Sequence, residues 1–474
     1  MLRRRTTVSL DHPTKNGDAM PNKRDPTGKA ATNFTWGVST SAYQIEGAAR
    51  EDGRGASIWD THCRQAGRIA GGDTGDVACD HYHRYVEDIG LLRDLGVGAY
   101  RFSVAWPRVL PSGRGAPNAA GLAFYDRLID AVLAAGIEPW LCLYHWDLPQ
   151  HLDDLGGWIN RDSAGWFADY AALTARRYGD RVKRFATFNE PSVFTLLGYG
   201  FGWDAPGIAD PASCLKAIHH VNLAHGAAID TVRDLVPGAA IGTIHNRQPC
   251  LPATPSDEDA AAAMLFHEYW NLAFPDPQLL ACYPPALARA IEPYQCAGDM
   301  ARICRPVDWF GLNHYAPNYV KAERGNALGF MFGNAPPELP RSGTGWPIAP
   351  SAFRDTLLEI DARYRLPIYV LENGMGDEET LDESGRVDDR KRIDYLQSYI
   401  GAMHEAIDRG ADVRGYFVWS LLDNFEWNAG YRKRFGLYYV DYPTLRRIPK
   451  ASARWYADLI AKSRTLAPRT ATAA

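Results

Sequence analysis

The feature that most constrains the fold of this chain is a repeated pairing of a short apolar run with a longer stretch of helical periodicity. Runs such as residues 139–144 (PWLCLY) are apolar on both faces. A strand with two apolar faces is typical of a parallel sheet that helices cover on the outside. The predicted strands are Phe34–Ser39, Ala99–Val104, Glu138–Tyr144, Arg184–Asn189, Ala240–His245, Trp309–His314, Pro367–Leu371 and Gly415–Ser420.

Helical patterns fill the intervals between these runs. In residues 121–135, apolar side chains recur at spacings of three and four, and Gly136 marks the end of the pattern. Eight strands that alternate with helices favour a closed parallel barrel, so the predicted fold is α/β, a single (β/α)8 TIM barrel. Its active site is expected at the carboxyl ends of the strands. Helices are predicted at residues 121–135, 163–178, 212–236, 351–364 and 389–409.

Composition sets the bounds of the domain and excludes some partners. We expect a single barrel domain over residues 31–465, with a disordered leader at 1–30 and a disordered tail at 466–474. A net charge of −5 and the lack of a long apolar run argue against nucleic acid and membranes as partners. The eight cysteines have no CxxC spacing and no export signal is evident, so reduced thiols in the cytoplasm are expected.

Two glutamates stand where predicted strands give way to loops. Glu190 follows the fourth strand and Glu372 follows the seventh, each beside an asparagine. A pair of carboxyl groups is what cleavage of a glycosidic bond requires, one to protonate the leaving oxygen and one to act at the anomeric carbon. A separation of about 5–5.5 Å gives retention of configuration and about 6.5–9.5 Å gives inversion. Spacing in the sequence leaves that choice open, and a single glutamate at a strand end is more often part of a surface salt bridge than catalytic.

Six motifs across residues 34–460 resemble glycoside hydrolase family 1, the β-glucosidase family, in that family's order. The resemblance implies that Glu190 is the general acid/base and Glu372 the nucleophile. It also implies that Asn189 contacts the sugar 2-hydroxyl, that Tyr315 orients the nucleophile and that Trp346 stacks on the leaving group. The motifs are 34–47 (FTWGVSTSAYQIEG), 144–149 (YHWDLP), 187–191 (TFNEP), 311–315 (GLNHY), 371–374 (LENG) and 419–427 (WSLLDNFEW).

The same resemblance implies a substrate-binding set and a substrate class. Glu426 stands where the 6-phospho-glycosidases of the family lack a carboxylate, which favours uncharged glucosides, galactosides or fucosides. Asp204 and Ser192 depart from the family pattern, which usually has His and Trp at those positions, so the leaving-group side is expected to differ. The implied substrate-binding residues are Gln44, His145, Trp146, Asn189, Asn313, Tyr315, Trp346, Trp419, Glu426, Trp427 and Phe435.

The predicted function is therefore a retaining exo-β-glycosidase, acting on β-glucosides and short β-linked oligosaccharides such as cellobiose. A transglycosylase and a non-catalytic sugar-binding protein are the alternatives, and a homo-oligomer is left open. No cofactor is expected, because no phosphate-binding glycine motif lies between a strand and a helix. No metal is expected either, since His81, His83, His219, His220 and His225 lack a metal-binding frame and are interpreted as structural.

Overall fold

The computed structural model describes residues 34–466. Eight parallel strands close into a barrel in which every strand lies beside its neighbours in the sequence. The barrel closes where the first strand pairs with the eighth, for example Thr35 with Gly415. The predicted TIM barrel is thus confirmed. The strands are β1 Thr35–Ser39, β2 Ala99–Ser103, β3 Glu138–Tyr144, β4 Arg184–Asn189, β5 Ala240–Asn246, β6 Trp309–Asn313, β7 Ile368–Asn373 and β8 Val413–Trp419.

One helix longer than ten residues lies in each interval between strands, and another follows β8. These helices cover the outside of the barrel, as the apolar outer faces of the strands require. They are α1 His81–Leu95, α2 Ala119–Ala134, α3 Ser163–Tyr178, α4 Pro211–Leu235, α5 Asp257–His267, α6 Pro350–Tyr364, α7 Arg390–Asp408 and α8 Ala451–Leu466.

Short elements decorate the loops. Strands Cys250–Pro252, Asn318–Ala322 and Phe330–Phe332 form a small sheet, and Tyr438–Asp441 pairs with Arg446–Pro449. The short α-helices are Ala42–Ile45, Ile58–His62, Trp106–Val109, Gln150–Asp154, Pro191–Thr195, Pro275–Leu280, Pro285–Ile291 and Asp299–Ile303. Single turns of 3-10 helix occur at Ala70–Gly72, Gly157–Ile159, Glu292–Tyr294 and Trp427–Ala429, and single turns of π-helix occur at Leu196–Gly200 and Glu268–Leu272.

The five predicted helices exist, with ends that differ from the prediction by at most two residues. The helices α1, α5 and α8 are missing from the sequence prediction. In α5 (DEDAAAAMLFH) the alanines blur the apolar stripe, and α1 spreads charged residues among its apolar positions. The predicted leader and residues 467–474 of the predicted tail lie outside the described residues.

The interior of the barrel is filled with aromatic side chains. The Trp140 ring on β3 lies 4.8 Å from Tyr369 on β7, 5.3 Å from Phe417 on β8 and 5.3 Å from Trp309 on β6, measured between centroids. These strands stand on different sides of the barrel, so the rings form a packed plug rather than a pore.

Within residues 34–466, no helix is both long enough and apolar enough to cross a lipid bilayer.

Candidate active site

A cavity of about 500 Å³ opens at the carboxyl ends of the strands. This is the edge at which a TIM barrel places its functional residues. Three of the predicted site residues lie outside the cavity wall, and each contacts a residue of the wall. They are Gln44, Asn189 and Asn313. The predicted residues in the wall are His145, Trp146, Glu190, Tyr315, Trp346, Glu372, Trp419, Glu426, Trp427 and Phe435.

The two glutamates are buried and share one amide group. The Asn313 amide, at the end of β6, donates to Glu190 Oε1 at 2.6 Å. The same amide also acts on Glu372, where it lowers the carboxyl pKa. The Asn313 amide also donates to Asn189 Oδ1 at 3.1 Å. The side chain of Asn313 therefore bridges the ends of β4 and β7.

Glu372 is held by a cation and a hydroxyl. Arg101, on β2 and only 1% exposed, forms a short ion pair with Glu372 Oε1. The Tyr315 hydroxyl donates to Glu372 Oε2 at 2.6 Å. Tyr315 is itself fixed, since its carbonyl accepts from the hydroxyls of Tyr395 and Tyr399 at 3.2 and 3.0 Å. Both carboxylate oxygens thus have a fixed donor.

Sequence reasoning missed Arg101 and Asn246. Arg101 sits in the middle of an otherwise apolar or small strand (AYRFS), and a buried charge in such a strand is itself a signal, because it requires a partner. Asn246 ends β5, lines the cavity and lowers the pKa of Glu190. It directly follows the predicted fifth strand, as Glu190 follows the fourth, so the same positional rule could have selected it from the sequence.

The surroundings of the two carboxyl groups differ. Burial, followed by the charge of Glu372, raises the pKa of Glu190 to about 8. Burial raises the pKa of Glu372 too, but the Arg101 guanidinium and the Tyr315 hydroxyl act against that rise. A cation in direct contact favours the charged form of a carboxyl group. Near neutral pH, Glu372 is therefore the ionised carboxyl group of the pair and Glu190 is the protonated one.

Glu372 lies inside β7 rather than after it, which differs from the prediction. The pairing of β7 with β6 shifts register between Val370 and Glu372, so the strand continues to Asn373 through an irregularity. Asn373 donates to the His314 carbonyl at 2.6 Å and ties this strand end to β6. A side chain at Gly374 would place its Cβ 2.0 Å from the Trp419 carbonyl oxygen. The Glu-Asn-Gly sequence is thus a packing requirement as well as a chemical one.

Three residues of the cavity wall have a left-handed backbone. The φ angles are 49° at Glu190, 76° at Trp146 and 48° at Trp427. Residues other than glycine adopt such angles at a cost of about 1–3 kcal/mol each, and they concentrate at functional sites. The Trp146 indole donates to the Asn189 carbonyl at 2.9 Å, which helps to hold this backbone in place.

A polar corner of the cavity brings Gln44 and Glu426 together. The Gln44 amide donates to the Phe425 carbonyl at 3.0 Å and lies 3.5 Å from Glu426 Oε2. Burial, with the charges of Glu372 and Glu190, raises the pKa of Glu426 to about 8. A carboxyl beside an amide offers the paired contacts that two adjacent hydroxyl groups of a sugar require.

Aromatic rings and a neutral histidine complete this corner. His145 stacks on Trp419 with 5.9 Å between ring centroids, and Trp146 stacks on Trp427 at 4.6 Å. Burial, reinforced by Arg101, keeps the pKa of His145 well below its usual range. His145 Nε2 lies 3.3 Å from the Asn189 amide. Neutral imidazole can then accept or donate without adding charge to the site.

The outer part of the cavity is mainly aromatic. Trp346 lies 5.5 Å from Tyr315 and 6.1 Å from Phe435, measured between centroids, and 41% of Trp346 is exposed. Trp203 and Asp204, which sequence reasoning did not place in the binding set, also line this part.

The five histidines that the sequence offered as possible metal ligands have protein partners. His81 pairs with Asp88 at 2.8 Å, His219 with Asp299 at 2.8 Å and His225 with Thr187 at 2.8 Å. His83 contacts Asp80 and Glu51, and His220 contacts the Trp158 carbonyl. Among residues 34–466, no group of His, Cys, Asp and Glu has the arrangement of a metal site.

Comparison with known proteins identifies the family. The model for "Glycosyl hydrolase family 1" matches residues 27–465. The chain belongs to glycosyl hydrolase family 1. This family 1 chain is 43% identical over 437 residues to β-glucosidase A of Thermotoga maritima, covering 91% of this chain and 98% of that protein. It is also 43% identical to a bifunctional β-D-glucosidase/β-D-fucosidase of Bifidobacterium breve, covering 90% and 97%.

Solved structures agree with this assignment. A β-glucosidase from Thermotoga maritima in complex with glucoimidazole superposes on this family 1 enzyme with a TM-score of 0.87 at 42% identity. The match covers 92% of this chain and 100% of that chain. The predicted family and the predicted class of enzyme are both confirmed.

Proposed function

We propose that this family 1 enzyme is a retaining exo-β-glucosidase that uses Glu190 as general acid/base and Glu372 as nucleophile. The observation that carries the proposal is the buried carboxyl pair joined through the Asn313 amide, with unequal partners on the two sides. Such inequality is what assigns an acid and a nucleophile to two otherwise similar groups.

The proposed reaction has two steps. In the first, Glu190 gives its proton to the glycosidic oxygen while a Glu372 oxygen bonds to the anomeric carbon, and the leaving group departs as an alcohol. In the second, Glu190 takes a proton from water, the water oxygen attacks the anomeric carbon, and the bond to Glu372 breaks. Both carboxyl groups then return to their starting states.

Geometry supports retention. The Asn313 amide donates to Glu190 Oε1 at 2.6 Å, and Asn313 itself pairs with Glu372 between β6 and β7, so both carboxyl groups lie beside this residue. Closely placed carboxyl groups favour retention, for which a separation of about 5–5.5 Å is typical, over the wider gap of inverting enzymes. The proposed nucleophile is also fixed at both oxygens, by Arg101 and Tyr315, so little reorganisation is needed for attack.

The proposed sugar site is the corner formed by Gln44, His145, Glu426 and the stacked tryptophans. Its amide, carboxyl and imidazole groups suit the hydroxyls of a terminal uncharged sugar. Relatives named for activity on β-glucosides and β-fucosides support this substrate class. In this proposal, Asn189 contacts the 2-hydroxyl beside the bond that breaks, and short β-linked oligosaccharides such as cellobiose are substrates.

The experiment that tests the proposed function is parallel hydrolysis of 4-nitrophenyl β-glucoside, β-galactoside, β-fucoside and β-mannoside, with cellobiose alongside. We expect the β-glucoside and the β-fucoside to give the largest kcat/KM values. Added alcohol acceptors distinguish hydrolysis from transglycosylation, because a transglycosylase would give mainly transfer product. No release of nitrophenol from any of the four would contradict the proposal.

Replacing Glu426 with glutamine should lower kcat/KM for 4-nitrophenyl β-glucoside, measured by steady-state kinetics, by about 10–100-fold. This is the effect of weakening hydrogen bonds made by a carboxyl group.

The wild type should also reject the corresponding 6-phosphoglucoside. With four carboxyl groups in the cavity wall and Arg101 already paired, a phosphate would lack a partner. Steady-state kinetics on both substrates measures this. Faster hydrolysis of the phosphorylated glucoside would show that the corner is wrongly assigned.

Replacing Arg101 with methionine should lower kcat by about 10²–10³-fold, since the proposed nucleophile loses a preorganised electrostatic partner. The pKa of Glu372 should rise because the opposing cation is gone, so the acidic limb of the pH profile moves to higher pH. The variant should also be less stable by about 3–5 kcal/mol, because a buried carboxylate loses its partner. A pH profile with an unmoved acidic limb would argue against this role.

We also propose a cytoplasmic enzyme that works without a cofactor. All eight cysteines are unpaired, which supports a reducing compartment. A homo-oligomer stays a prediction that sedimentation would test.

A further inference from the structure

The outer cavity contains an aromatic platform that the proposed sugar site does not use. Trp203 is 40% exposed and stacks on Phe201, with 4.6 Å between centroids and 16° between planes. Phe332 packs against the same indole at 5.9 Å. A supported indole with a free face in a cavity is suited to stacking on a flat or ring-shaped group.

Asp204 is next to this platform and has an unused acceptor. The residue is 5% exposed and lines the cavity. Its Oδ1 accepts from the Asn428 amide at 2.6 Å, and no donor among residues 34–466 reaches Oδ2. Oδ2 keeps access to the cavity rather than being sealed inside the protein. A carboxylate oxygen that faces a binding cavity without a protein donor is free to accept a hydrogen bond from a bound molecule.

The charged groups around the cavity also bear on which molecule it binds. Its other charged wall residues are Glu190, Glu372, Glu426 and Arg341. The Arg341 guanidinium already donates to the backbone carbonyls at 335, 336 and 345. Burial raises the pKa of Asp204 to about 6, so the carboxyl is ionised at pH 7.5. At this pH Glu190 and Glu426, whose pKa values are about 8, are largely protonated, and Glu372 is paired with Arg101. The unpaired charge in the wall is therefore that of Asp204, which favours a cationic partner over an anionic one.

We propose that Trp203 and Asp204 form a leaving-group subsite that selects a ring bearing a hydrogen-bond donor, and most strongly a ring bearing an amine. Trp203 stacks on the ring, and Asp204 Oδ2 accepts from its hydroxyl or ammonium group. The inference rests on the proposed function, because it places the leaving group beyond the two glutamates. It adds the chemical class of that leaving group.

Asp204 also tethers Asn428, next to Trp427 of the sugar site, so specificity must be separated from positioning. Asp204→Asn keeps an oxygen for the Asn428 amide and removes the charge. Asn428→Ala removes the tether and keeps the charge. A specificity role changes the ratio between substrates in Asp204→Asn only. A positioning role lowers kcat/KM for all substrates alike in Asn428→Ala and leaves the ratio unchanged in Asp204→Asn.

The test uses three aryl β-glucosides that carry aminomethyl, hydroxymethyl or methyl at the 4-position of the phenyl ring. At pH 7.5, Asp204→Asn should lower the ratio of kcat/KM for the aminomethyl over the methyl substrate by about tenfold relative to wild type. Comparing ratios between proteins cancels the intrinsic reactivity of each phenol. Asp257→Asn, an exposed carboxylate on α5, is the matched control and should leave the ratio unchanged. An equal ratio in wild type and Asp204→Asn overturns the inference.

Binding to the wild type gives an independent readout if Asp204→Asn does not fold. 4-(Aminomethyl)phenol should bind several-fold more tightly than 4-methylphenol, measured by tryptophan fluorescence, and added salt should reduce the difference. Weaker or equal binding of the amine overturns the inference. Failure to hydrolyse any of the three glucosides would instead contradict the proposed function, and the binding comparison would still decide the subsite.

Discussion

Replacing Glu372 with glycine should lower kcat for 4-nitrophenyl β-glucoside by about 10⁵-fold, the scale seen when a catalytic nucleophile is removed. The glycine leaves a space beside Arg101 and Tyr315 that a small anion can enter. Azide should therefore restore turnover of a glucoside with a good leaving group, and the product should be the α-glucosyl azide. The anomer follows from direct attack by azide on the face of the sugar where Glu372 would have attacked.

The matched control for this variant is Glu51→Gly, which removes an exposed carboxylate that contacts His83. Azide should have no effect on its activity. A β-glucosyl azide from Glu372→Gly would reverse the two assigned roles, and a variant with near wild-type turnover would exclude Glu372 as the nucleophile. Thermal unfolding confirms that any loss of activity is not loss of fold.

Replacing Glu190 with glutamine should lower kcat for cellobiose by about 10³-fold, within the range of general acid catalysis. The effect on a 2,4-dinitrophenyl leaving group should be much smaller in the first step, because such a group departs without a proton. The measurement is kcat/KM for both substrates in parallel. An equal loss with both substrates would indicate that Glu190 has a different role.

The pH profile gives a second test of the same variant. The pKa of Glu190 is raised to about 8, so the group carries its proton below that pH and loses it above. Activity of the wild type should therefore fall as the pH rises through about 8. Glu190→Gln has no proton to lose, so this basic limb should disappear. A basic limb that persists in the variant would place the acid elsewhere.

The fold was predictable because its determinants are local. Each barrel strand is a short apolar run, and the strands β3 and β4 end where the sequence pattern ends. Helix α5 was not predictable from periodicity, since its run of alanines has no polar face to contrast with an apolar one. The end of β7 was also misplaced, because the register shift before Glu372 depends on pairing with β6 rather than on local sequence.

The candidate site was predictable where polar residues end strands, and less so where they come from within strands or from long loops. Arg101 occupies the middle of β2, and its importance depends on contact with Glu372, 271 residues further along the chain. Trp203 and Asp204 lie in the long segment between β4 and α4, and their place in the cavity wall is a tertiary property. The sequence marked Asp204 as a departure from its family but could not show that its second oxygen lacks a partner.

The most direct test of the central claim is to trap the covalent intermediate. 2-Deoxy-2-fluoroglucosyl fluoride should inactivate the enzyme by glycosylating the nucleophile, because the 2-fluorine slows both steps whereas the fluoride leaving group speeds only the first, so the glycosyl-enzyme accumulates. Proteolysis and mass spectrometry should find one fluoroglucosyl group on the peptide that contains Glu372, attached to that residue. A label on Glu190, or rapid turnover to α-configured product without any labelled protein, would contradict the account.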